Sequence, residues 1–300
     1  MPYGPEWQLH RRLSSNLLNA KASNAYRYLQ DIESKQLLHE FLSSHDFHIA
    51  LEVDCWNWSK EARQRSEAKE LPWEVTCYAI GELYVAGIHT TKMILEMFVM
   101  VCILHPEVVR KGQEELDSVV GAERLPSFTG LESLPYIRAL VSELLRWRPI
   151  SPIGVPHAVI KDDEYLGYFI PAGSTIIANQ LGMNHDETIF DDPSRFNQVR
   201  YLQNPSLPVS AFGFGRRLCP GHYLAHGSLH IVISRLVWAY DMFSDENQPG
   251  EPANPTFFNA RFSVRSVDRQ QIIEKEKSVA DKDEKAIMEK IRDKIRSVDM

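Results

Sequence analysis

The run Phe212-Gly213-Phe214-Gly215-Arg216-Arg217-Leu218-Cys219-Pro220-Gly221 sets one cysteine in a glycine-rich loop, behind an arginine and ahead of an apolar helical segment. Such a loop suits a buried thiolate bound to iron, because glycines let the backbone pass close to a flat macrocycle where side chains would collide. Pro220 favours a helix start. That predicts free amide N–H groups and the positive end of a helix dipole near the sulfur, both favourable to negative charge. Arg217 can meet a carboxylate in forked geometry. The plain alternative is a structural cysteine buried in a turn. Three further groupings could do chemistry. Glu143 and Arg146, three apart, can pair on one helix face; Trp7 and Arg11, four apart, share a face; Ala86-Gly87-Ile88-His89-Thr90-Thr91 places small residues just before hydroxyl groups. Their plain readings are a solvated ion pair, two unrelated helix residues and a packing notch.

These groups need helices to hold them. Helical patterns run from about Glu6 to Leu18, over Ser23–Tyr28 and over Ile32–Ser43, with Leu37, Leu38, Phe41 and Leu42 as an apolar face. After Pro72 a long apolar-periodic helix reaches His105-Pro106, where proline starts another toward Val119. Gly121 to Pro135 is a loop-rich connector, and Tyr136 to Arg148 is helical. Strands are predicted at Ala158–Ile160, Tyr165–Phe169 and Thr175–Ala178, separated by turn residues. A last core helix leaves the cysteine loop for Tyr240. Beyond Gln270 the chain is charged, with Ile287, Ile291 and Ile295 spaced by four: a solvated amphipathic helix, or less simply a partner-binding one.

Three hundred residues, 44% of them hydrophobic, can bury a large core. A formal charge of −7 argues against nucleic acid as a partner. Cys55, Cys77, Cys102 and Cys219 show no metal-site or disulfide spacing, which points to a reducing compartment and leaves Cys219 free to act as a ligand. Met1-Pro2-Tyr3-Gly4-Pro5 leads into a polar, aromatic segment rather than a signal peptide, and the apolar run Met93–Leu104 is too short to span a bilayer. The expected location is cytoplasmic or peripheral at the endoplasmic reticulum.

The cysteine loop resembles the haem-binding signature of the cytochromes P-450, the haem-thiolate monooxygenases. The resemblance covers roughly residues 1–50 and 72–270. It implies a mainly α fold with a small β-region, the cytochrome P-450 fold in incomplete form, and haem b with Cys219 as its thiolate ligand. By the same resemblance Trp7, Arg11, His157 and Arg217 hold the haem propionates, and Phe212 shields the sulfur. Glu143, Arg146 and Arg195 correspond to the family's structural triad. Thr90 takes the family's proton-relay position, with Ala86 and Gly87 leaving room for dioxygen. His89 stands where the family usually has an acid; histidine can also shuttle protons near neutrality. The wording Pro149-Ile150-Ser151-Pro152-Ile153-Gly154-Val155-Pro156-His157 resembles fungal members of secondary metabolism.

Too few residues separate Trp7 from Thr90 for all the helices the family places between them. The odd segment 54–70 is the expected site of that internal gap, so residues 1–270 read as a partial family domain and 271–300 as a charged helical tail. The resemblance implies a monooxygenase acting on an apolar small molecule with O2 and a separate NADPH-cytochrome P-450 reductase, since the chain has no flavin or nicotinamide fingerprint. The alternatives are a non-catalytic haem-binding remnant and a haem-thiolate isomerase or dehydratase.

Overall fold

The computed structural model describes residues 4–43, 70–244 and 260–280, and most positions from 286 to 293. The gap segment lies outside the described residues except for Glu70. The first group of helices is α1 (Pro5–Leu18), α2 (Ala20–Ala25) and α3 (Arg27–Ser43). Asn19 separates α1 from α2, its side chain accepting from the Ala22 N–H at the start of the new helix. Then come α4 (Trp73–Leu104), α5 (Pro106–Val119) and α6 (Pro135–Trp147). Proline opens α1, α5 and α6 in the first turn, where its missing N–H sacrifices no hydrogen bond.

The core lies between the C-terminal half of α4, the apolar faces of α5 and α6, and α9 (His222–Ala239). Phe98, Val101, Leu116, Ile137, Leu144, Ile233 and Trp238 are all fully enclosed there, each burial contributing about 1.5–3 kcal/mol. Gly112 lets α5 and α9 meet closely, since a Cβ at that position would stand 3.2 Å from Val237 Cγ1. α4 is long and apolar enough to cross a membrane, but half of its most apolar stretch is buried inside the protein.

Two small hairpin-like sheets follow α6. β1 (His157–Ala158) pairs antiparallel with β4 (Thr175–Ile176), and β2 (Asp163–Tyr165) with β3 (Tyr168–Ile170). The expected single strand over Tyr165–Phe169 is broken by a turn at Leu166 and Gly167, with Tyr165 ending β2 and Tyr168 and Phe169 in β3. Leu166 and Gly167 both take positive φ, 52° and 80°, which is the geometry of a tight hairpin. Short helices α7 (Gln180–Asn184) and α8 (Val199–Gln203) lead to the cysteine loop and α9. α9 passes directly into β5 (Tyr240–Ser244), paired with β6 (Ala260–Val264), and α10 (Val267–Val279) closes against α3.

Two of the three isoleucines in the tail's stripe do not face solvent; the third, Ile295, lies outside the described residues. Ile287 and Ile291 are buried among Leu13, Leu17 and Leu18 of α1, Tyr26, and Ile80 of α4. Lys290 Nζ donates to Tyr28 Oη at 2.9 Å. An amphipathic period fixes which residues share a face, not what that face meets; here the chain itself supplies the partner.

Candidate functional site

The cysteine loop is pinned by its own backbone. Cys219 N donates to Phe212 O (2.9 Å), Gly213 N to Ser210 O (2.9 Å) and Leu218 N to Gly215 O (3.1 Å). Gly213 and Gly215 take φ of 74° and 56°, conformations that side chains disfavour, and a Cβ on Gly215 would meet nothing within 4 Å. The loop is therefore both strained toward glycine and open on one side. Arg11 Nη1 of α1 donates to Leu218 O at 2.7 Å, and the Arg217 guanidinium lies 4.3 Å from the Trp7 ring centroid. The Trp7–Arg11 face and the cysteine loop, distant in sequence, thus form one unit.

Burial pushes the Cys219 thiol above its ordinary range, opposed by the Gly221 N–H and by the Arg11 charge. The amide expected at the helix end does favour the anion, but burial outweighs it. α9 begins only at His222, so Gly221 is the amide that reaches the sulfur. Ligation by a metal removes such a proton outright.

Behind the loop stands a buried charge network. Glu143 and Arg146 are both 0% exposed and pair in bidentate fashion: Nε to Oε2 and Nη2 to Oε1, each 2.8 Å. The third member is Arg200, not Arg195. Arg200 Nε stands 3.2 Å from Glu143 Oε2, whereas Arg195 is exposed and offers its carbonyl to Arg200 Nη2. The reason is the phase of the chain after Phe196. Phe196 and Arg200, four apart, both turn inward, and Arg195 turns out. An arginine followed by the buried aromatic Tyr201 was the available signal. The Asn197 N–H also donates to Glu143 Oε1 at 2.9 Å, so the carboxylate is fully engaged, as a buried charge requires. Arg146 Nη1 donates to Asn184 O (2.7 Å), and Ser210 Oγ donates to Asn184 Oδ1 (2.6 Å). The network therefore reaches the base of the cysteine loop, a link that spacing did not reveal.

Ala86, Gly87, His89 and Thr90 are exposed in mid-helix on α4, where a core helix would ordinarily be covered. Thr90 Oγ1 donates back to Ala86 O at 2.5 Å, leaving its lone pairs available. Gly87 and Thr91 line a groove of about 100 Å³ with Leu224 and Ala225, which lie at the start of α9 just beyond the cysteine. Phe212 is half-buried, its ring 4.9 Å from that of His226. His157 stands exposed on β1, and its side chain forms no hydrogen bond among the described residues. The structure joins Trp7, Arg11, Arg217 and Cys219; it does not join His157 to them.

These residues fit a haem. A half-buried thiol sits in a loop left open by glycines, beside cationic donors on α1 and the loop, near an uncovered small-residue turn of α4. His10, next to Arg11, has a buried Nε2 with no partner among the described residues, a polar atom that a bound carboxylate would satisfy.

Known proteins resemble this chain in sequence and in fold. The cytochrome P-450 family model matches residues 53–265. Cytochrome P-450 monooxygenase aneD of Aspergillus aculeatus is 36% identical over 389 aligned positions, spanning 96% of this chain and 76% of that protein. Cytochrome P-450 monooxygenase drtD of Aspergillus calidoustus is 33% identical over 380 positions, spanning 94% and 72%. Both alignments have more positions than this chain has residues, so they cross segments of the relatives with no counterpart here. Among solved structures, a zebrafish cytochrome P-450 with abiraterone superposes with a TM-score of 0.69 at 22% identity, covering 88% of this chain and 82% of that one.

Proposed function

Because this chain belongs to the cytochrome P-450 family, we propose that it is a haem-thiolate monooxygenase that inserts one atom of O2 into an apolar small molecule of fungal secondary metabolism. The observation that carries the reading is the joining of Cys219, Arg11, Arg217 and Trp7 from opposite ends of the chain into one open-sided cradle. Cys219 would hold the haem iron through its sulfur, and Arg11, Arg217 and Trp7 would bind the propionates. His157 would join them only through a movement of β1. The haem would supply the activation of dioxygen. Electrons would come from a separate NADPH-cytochrome P-450 reductase. Thr90 and His89, on the uncovered turn of α4, would bring protons toward the site, Thr90 through the free lone pairs of its hydroxyl oxygen. Phe212, fixed through its carbonyl to Cys219 N, would limit water at the sulfur, which tunes a haem's potential.

Relatives' alignments longer than this chain support an internal gap, which we place at 54–70. The uncovered face of α4, with Tyr78 at 78% exposure, supports a second reading: a remnant that holds haem without turnover. One experiment separates them. The reduced, carbon monoxide-treated protein should give the red-shifted band of thiolate ligation, and NADPH with reductase and substrate should yield hydroxylated product. The band without product would favour the remnant; absence of the band would defeat both.

A further inference from the structure

A second pocket, of about 460 Å³, opens on the other side of α9. Its walls come from α2, α3, the connector before α6, α6 and α9. Arg27 and Arg138 stand exposed at its rim, Asn24 beside them, and the half-buried imidazoles of His226 and His230 face it one helical turn apart. Glu132 is the one carboxylate on the wall among the described residues. Neither arginine lies within ion-pair distance of a carboxylate among the described residues, although the Arg138 charge reaches Glu115; Arg27 lies 5.3 Å from the Phe128 ring centroid. Two guanidinium groups and two imidazoles around one concavity, with a single acid, form a donor-rich site lacking a matching negative charge.

We propose that this pocket binds a phosphate-type oxyanion, either free inorganic phosphate or the phosphate of a small ester. The arginines of α3 and α6 grip its oxygens from the rim, and His226 and His230 donate from the floor. Planar donors in fork geometry suit such an anion. Burial holds both imidazoles toward the neutral form, and His222 disfavours the charge on His226. His230 is lowered to about 4 by burial, by His226 and by Arg138, against a hydrogen bond within α9. The other charged groups nearby are Arg27 and Glu132 on the walls, Glu115 of α5, which feels the Arg138 charge, and Arg235 further along α9 with its partner Asp31 of α3. An anion reverses the sign of this environment, so binding takes up a proton and strengthens as pH falls. Through the His226–Phe212 ring contact, the filled pocket abuts the cysteine loop.

The test is calorimetric titration of the full chain with sulfate, which stays a dianion between pH 5.5 and 8, against sodium chloride at matched ionic strength. Sulfate should saturate one site and bind more tightly at pH 5.5 than at pH 8, by up to about tenfold per pH unit for each imidazole that takes up a proton on binding. Arg138→Gln should weaken binding about tenfold or more, and His230→Gln should flatten the pH dependence. Parallel titrations with inorganic phosphate and phenyl phosphate distinguish the sources: equal affinities indicate the free ion, tighter phenyl phosphate an ester. Chloride matching sulfate, or folded Arg138→Gln and His230→Gln chains binding sulfate as the parent does, would overturn the site. If those variants fail to fold, the parent's histidine proton shifts decide: unchanged imidazole pKa values with saturating sulfate overturn it equally.

Discussion

The helical core behind the cysteine loop and the surface in front of it follow opposite rules. Behind the loop, Glu143 finds Arg146, Arg200 and the Asn197 N–H, and every charge is enclosed with its partner. In front, α4 shows Ala86 to Thr90 to solvent, and the hairpins expose Tyr165 (67%) and Phe169 (68%). One region is complete from its own residues. The other is shaped to receive something. Stability and function are therefore concentrated in different places, and substitutions should separate them.

The largest expected effect is functional. Cys219→Ser should abolish the red-shifted carbon monoxide band while leaving the circular dichroism spectrum unchanged; loss of fold as well would show that the loop belongs to the core. Next, Arg200→Ala leaves Glu143 short of a partner in a dry site and should cost about 3–5 kcal/mol in urea unfolding. Arg195→Ala should stay within about 0.5 kcal/mol, and the reverse ranking would restore Arg195 to the network. Ile291→Ala removes a buried side chain from the corner that backs α1 and should cost about 2 kcal/mol. A null result would return the tail to solvent. In the haem-free chain, alkylation of Cys219 should have its pH midpoint above the ordinary 9.0, because burial favours the neutral thiol. Folding stability accordingly declines once pH rises past 9.0, where the unfolded chain loses the proton first. Smallest of all, Phe169→Ser on the exposed hairpin should change stability by no more than about 0.5 kcal/mol.

The cysteine loop was legible because its chemistry is local: glycines, arginine and cysteine must follow one another closely for the backbone to turn around a sulfur. Helix positions were legible for a similar reason, since proline starts and apolar periods act within a few residues. Tyr165–Phe169 misled because β-forming residues flank a turn whose signal is one glycine.

What the sequence by itself determined is the identity of the reactive groups and the helices that carry them, since propensity, proline geometry and side-chain period are short-range properties. The tertiary structure alone decided that Arg200 and not Arg195 meets Glu143, that Ile287 and Ile291 are covered by α1 and α4, and that two arginines face two histidines across one pocket. Those outcomes depend on which surfaces meet between segments far apart in the chain, and on a low-dielectric interior that accepts a charge only where its partners have already been brought together.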